Sequence, residues 1–199
     1  PNLRSLEISG DLFWKYQLVN VSSLIDANLS FDDTPFDSTD DYELFGNLLL
    51  ELLERLRHVK ELTIGNWCIQ VLSILEVKEL PSPFLQCKCL TLHKHIHENL
   101  PGIARLLKSS PNLETLVINM PFVYRASARK FDGENYWASE KRIFKCLLLH
   151  LKTVKFVGFR GVCGDFSLAL VQFLLKNARV LEKMDFNSGR VGSSQYSQV

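Results

Sequence analysis

The most reactive side chains in the sequence stand close together, at Cys87-Lys88-Cys89 and His93-Lys94-His95-Ile96-His97. Thiolate and imidazole are the ligands zinc prefers, so the first chemistry to consider is a metal site. The spacing argues against it. Alternation along an extended segment sends Cys87 into a core and Cys89 out of it, and histidines at every second position do not reproduce C-x-x-C…H-x-x-x-H. The stretch reads instead as a buried cysteine followed by a solvated loop, with no metal. Gly158-Phe159-Arg160-Gly161-Val162-Cys163-Gly164 sits between a strand-like and a helix-like segment, where phosphate-cradling loops occur. It has neither G-x-G-x-x-G nor the Lys-Ser/Thr of a Walker loop, and it reads as a turn. The acidic run from Asp32 to Asp41 lacks the ligand order and glycine of an EF-hand. Asn20-Val21-Ser22 and Asn28-Leu29-Ser30 are glycosylation sequons, which matter only in a secreted chain. No nucleophile signature groups a serine, cysteine or histidine with a carboxylate, so neither catalysis nor a cofactor is expected.

What positions these residues is a repeat. Pro1-Asn2-Leu3-Arg4-Ser5-Leu6-Glu7-Ile8 returns as Pro111-Asn112-Leu113-Glu114-Thr115-Leu116-Val117-Ile118, and both contain L-x-x-L-x-L. With apolar replacements the pattern recurs at Leu24-Ala27-Leu29, Val59-Leu62-Ile64, Cys87-Leu90-Leu92, Leu151-Val154-Phe156 and Leu181-Met184-Phe186. Consecutive copies lie 21 to 38 residues apart, about 30 on average, near the long end of the leucine-rich-repeat range. Two apolar residues flanking a polar one make a short strand with alternate faces buried. Helical periodicity fills the intervals at Tyr42–Arg57, Trp67–Val77, Leu100–Lys108 and Phe166–Asn177, with Pro101 suited to a first helical turn and Asp165 to an N-cap. One repeat cannot bury its apolar face alone. The expected fold is therefore α/β: a leucine-rich-repeat solenoid of about seven repeats, with a curved parallel sheet inside and helices outside. An ordinary α/β domain whose parallel strands read L-x-x-L-x-L is the competing architecture.

Composition agrees with a folded chain. Of 199 residues 46% are hydrophobic and 11% aromatic, and 23 basic side chains balance 22 acidic ones for a net charge of +1. A disordered segment would be less apolar, and a nucleic-acid or acidic-membrane partner would call for more positive charge. No uninterrupted apolar run approaches the roughly 18 residues of a membrane span. Five scattered cysteines do not form a disulfide scaffold and fit a reducing compartment, cytoplasm or nucleus. Phe31–Glu43 and Arg125–Ala138, the latter with Trp137, read as surface loops, and residues 188–199 as a disordered tail.

In the second half the run from Cys146 to Gly161 (CLLLHLKTVKFVGFRG) and the run from Phe173 to Met184 (FLLKNARVLEKM) resemble the FBD domain. That domain closes plant F-box/FBD/leucine-rich-repeat proteins. Leu12-Phe13-Trp14, Val19-Asn20-Val21-Ser22-Ser23-Leu24 and Asp26-Ala27-Asn28-Leu29 are similar to the repeat region of the same family. The resemblance implies leucine-rich repeats over 1–143 and FBD-like C-terminal repeats over 144–187. It also implies the arm of an F-box protein that recruits an unknown protein substrate to an SCF-type ubiquitin ligase. No segment resembles the F-box itself, so a Skp-type adaptor is a partner only if an F-box lies upstream in the full-length protein. A standalone repeat protein, binding or decoy, without ligase docking is the alternative. An enzyme built on the glycine turn or the Cys/His stretch is a third class.

In each L-x-x-L-x-L unit the third and fifth residues face away from the core. The expected protein-binding face therefore comprises Glu7, Asp26, Asn28, Glu61, Thr63, Thr91, Thr115, Thr153, Lys155, Lys183 and Asp185, with Ser5, Cys89 and Val117 completing the rows. It is acidic at the N-terminal strands and mixed to basic at the C-terminal ones. Such a gradient would orient a polar peptide or protein partner, although a solvated face without any partner has the same composition.

Overall fold

Each copy of the repeat forms one short strand. The strands are β1 (Ser5–Gly10), β2 (Asp26–Phe31), β3 (Glu61–Ile64), β4 (Cys89–His93), β5 (Thr115–Asn119), β6 (Thr153–Val157) and β7 (Lys183–Asn187). The computed structural model describes residues 2–10, 18–31, 39–79, 81–93, 99–120, 136–137, 139–158 and 165–188. Outside these lie most of the acidic run, His95 and His97, residues 121–135, residues 159–164 of the glycine-rich stretch and residues 189–199, so the expectations made for them lie outside the described residues.

The strands form one parallel, open, seven-stranded sheet in the order β1-β2-β3-β4-β5-β6-β7, so each strand pairs only with its neighbours in sequence. The register never slips by an odd step. Leu6, Ala27, Leu62, Leu90, Leu116, Val154 and Met184 align across the sheet as one row, and Ile8, Leu29, Ile64, Leu92, Ile118, Phe156 and Phe186 as a second. A one-residue slip would move a whole apolar row to the other face, which is why the alternation pins the register. The backbone ladder begins one residue before the strands. Lys60 N donates to Ile25 O at 2.7 Å, Lys88 N to Lys60 O at 2.8 Å and Lys152 N to Glu114 O at 2.9 Å.

The helices between strands cover these apolar rows. They are α1 (Thr39–Arg55), α2 (Asn66–Val77), α3 (Leu100–Ser109), α4 (Lys145–Leu149) and α5 (Asp165–Asn177). Trp67 of α2 fills the first half of the core, meeting Phe31 and Phe45 edge-on with ring centroids 5.8 and 5.5 Å apart. Helix α3 is buried nearly all round, as an internal helix must be when apolar residues occupy most of its faces. It approaches α2 through Gly102, whose amide donates to Ser73 Oγ at 2.9 Å while Ser73 Oγ donates to Ile69 O at 2.9 Å. A Cβ on Gly102 would stand 2.3 Å from Ile69 O, so this contact requires glycine.

Three expectations need correction. Helix α1 begins at Thr39, inside the stretch expected to be a loop to Glu43. Trp137, placed in a polar surface loop, is 2% exposed and lies against Phe173 at 4.7 Å, because polar neighbours in sequence hid a ring needed by the C-terminal core. Asp165 is the first residue of α5, and α4 went unread because five residues carry too little periodicity.

An ionic cluster, buried at Arg105 and open to solvent at Arg142, ties the C-terminal segment to the preceding helices. Glu76 at the end of α2 accepts from Arg105 of α3 at 3.2 Å and from Arg142, and Arg105 also donates to Pro81 O at 2.7 Å. Arg142 Nε lies 2.9 Å from both Glu140 oxygens, and its guanidinium bonds the Tyr136 hydroxyl at 3.0 Å. Burial pulls the Arg105 guanidinium below its ordinary value, against the Glu76 carboxylate that supports its charge. Burial pushes Glu140 upward, but the bonds from Arg142 outweigh it and leave that carboxyl below its usual range.

Candidate functional site

The face of the sheet opposite the helices is lined by the residues between the apolar ones. The register sets Ser5, Asp26, Glu61, Cys89, Thr115, Thr153 and Lys183 in one row across all seven strands. Glu7, Asn28, Thr63, Thr91, Val117, Lys155 and Asp185 form the next. All eleven residues expected from the sequence stand in these two rows, half-buried or exposed, on a single surface. Within a row, neighbours on adjacent strands are about 4.8 Å apart, close enough to interact side chain to side chain.

Some of these side chains are engaged with one another. Ser5 Oγ donates to Asp26 at 2.5 Å, Ser30 Oγ to Asn28 Oδ1 at 2.7 Å, and Lys183 pairs with Asp185 at 3.0 Å. Glu7, Glu61 and Lys155 have no ion-pair partner among the described residues, and all three are exposed. Cys87 is buried with Sγ 3.5 Å from Ser110 Oγ, whereas Cys89 lies half-buried on the open face, as alternation requires. Burial raises the Cys89 thiol, the Glu61 carboxylate raises it further, and Lys155 opposes both.

A third outward row was missed by stopping at the end of L-x-x-L-x-L. Ser9 pairs with Ser30, and His93, Asn119, Val157 and Asn187 align on consecutive partners, with Asn119 Nδ2 3.3 Å from the His93 ring. Carrying the alternation one residue further would have found it.

The two rows form a surface of mostly polar side chains at fixed spacing. Its described cysteines are free thiols, and no group of three or more His, Cys, Asp or Glu able to hold a metal occurs among the described residues. No helix of the described residues is long and apolar enough to cross a membrane.

Comparison with known proteins places a family model, FBD, on residues 140–186. A putative F-box/LRR-repeat protein of Arabidopsis thaliana is 31% identical over 180 residues, covering 84% of this chain and 37% of that protein. An F-box/FBD/LRR-repeat protein of the same plant is 30% identical over 195 residues, covering 96% of this chain and 39% of its own length. A probable F-box protein, also from Arabidopsis, is 32% identical over 179 residues, covering 84% of this chain and 52% of that protein. The chain thus spans roughly two fifths to one half of the length of these relatives. No solved structure matches it.

Proposed function

Since the chain carries an FBD domain and is related along most of its length to plant F-box/LRR-repeat proteins, we propose that it is the partner-binding arm of such a protein. In this reading the seven strand-and-connection units stack as a leucine-rich-repeat solenoid, with residues 144–187 as its FBD-like end. Its concave face recruits a protein substrate to an SCF-type ubiquitin ligase. One observation carries the proposal: the two rows, polar except at Cys89 and Val117, that cross all seven strands on the face the helices leave open. The apolar rows beneath fix the register of this face, and solenoids use such surfaces for extended contacts. Relatedness to interaction modules, rather than to enzymes, supports a binding role.

The same reading puts the protein in the cytoplasm or nucleus, in keeping with the free thiols of Cys68, Cys87, Cys89 and Cys146. Affinity purification of the full-length protein tests the ligase role: a Skp-type adaptor should co-purify at stoichiometric yield. Full-length protein that binds partners but never an adaptor would point to the standalone binding or decoy role instead.

A further inference from the structure

The charges on the open face are sorted by strand. Glu7, Asp26 and Glu61 occupy β1, β2 and β3, while β4 and β5 present only Cys89, Thr91, Thr115 and Val117 in the two rows. Lys155 and Lys183 follow on β6 and β7. Of these only Lys183 is neutralised within the chain, by Asp185, whereas Asp26 accepts from the neutral Ser5 hydroxyl and keeps its charge. What remains without an ion-pair partner among the described residues is Glu7, Asp26 and Glu61 on one side and Lys155 on the other. Arg4 and Lys60 belong to the strand entrances one residue earlier, outside these rows.

From β3 to β6 is three strand spacings, about 14 Å. That exceeds the Debye length at physiological salt, roughly 8 Å, so Glu61 and Lys155 do not quench each other across the sheet. Between them the surface is neutral and made of short side chains, three of them β-branched, with hydroxyls able to donate or accept. A neutral floor with opposite charges at its ends fits one kind of occupant. A nucleic acid would meet carboxylates where it needs cations, and a uniformly acidic or basic peptide would be attracted at one end and repelled at the other.

We propose that the open face binds an extended segment of a protein partner that carries a basic residue over Glu61, at the inner edge of the acidic patch that Asp26 and Glu7 continue, and an acidic residue over Lys155. An extended chain advances about 3.3 Å per residue, so the two charges stand about four to five residues apart, joined by small or polar residues. This deepens the reading of the face as the partner-binding surface and rests on it.

The test is selection of a random peptide library displayed on phage against the whole chain, with wild type, E61K and K155E as baits. Both substitutions are at exposed positions, and circular dichroism and thermal melting of each bait check that the fold is kept. Wild type should enrich peptides with a basic and an acidic residue at the stated separation. E61K should lose those peptides by about tenfold in affinity and enrich acidic ones, and K155E should enrich basic ones. Enrichment without charge bias, the same peptides from all three baits, or no enrichment at all overturns the proposal. Peptides indifferent to Glu61 and Lys155 would leave the interaction role standing, with another surface as its seat.

Discussion

Cys89 is a chemical reporter built into the open face. Its thiol is held up by burial and by the Glu61 carboxylate, so E61Q removes an anion that disfavours the thiolate. At a fixed pH near 8 a soluble thiol reagent should label Cys89 faster in E61Q than in wild type, and more slowly in K155Q. Cys68 and Cys146, pushed up to about 12 by burial, should stay unlabelled until the protein unfolds. Equal Cys89 rates in all three proteins, followed by mass spectrometry, would contradict the arrangement of this face. The ionic cluster gives a second expectation. E76A leaves the 1%-exposed Arg105 without its carboxylate and should cost about 3–5 kcal/mol in chemical denaturation. Glu140 is depressed in the folded protein, so its contribution is full above the ordinary carboxylate range and lost as pH falls through the folded value. E140Q should therefore flatten the acid limb of the stability profile. The outward position of Cys89 was readable from period-two alternation. The cluster was not, because Glu76 lies 29 residues from Arg105 and 66 from Arg142, and nothing local marks residues that meet only after folding.

At the scale of elements, the contact between α2 and α3 depends on Gly102. Alanine would ordinarily gain about 1 kcal/mol over glycine inside a helix. Here its Cβ meets the Ile69 carbonyl, a backbone atom that cannot swing aside, so G102A should instead lose about 1–3 kcal/mol, measured by urea unfolding. A neutral or stabilising result would mean the helices can separate. Strands and long helices were legible for separate reasons. Strand positions follow from Leu62-Thr63-Ile64 and its equivalents, where one polar residue between two apolar ones leaves no second register. The α2 and α3 boundaries fall within a residue of expectation, since each helix buries enough apolar side chains to reveal its period. Helix α4 and the burial of Trp137 fail by the same physics: each is settled by packing against α3 or α5 rather than by its own sequence.

For the whole molecule, nearest-neighbour pairing makes stability a property of position along the sheet. Among the described residues strands β1 and β7 each pair on one side only, and Phe186 of β7 is half exposed where the equivalent Phe156 is buried. Hydrogen exchange should accordingly show the amides of β3 to β5 protected longest and those of β1 and β7 shortest, and uniform protection would argue for a more cooperative domain. The central claim is that the open face, and not the helical side, takes the partner of an F-box protein. It is tested by affinity purification of the full-length protein in three forms: wild type, T91W to obstruct the middle of the open face, and K108E on the exposed side of α3. The account predicts that T91W keeps its Skp-type adaptor and loses the other bound proteins, while K108E retains both. Bound proteins that survive T91W, or that disappear with K108E, would contradict it.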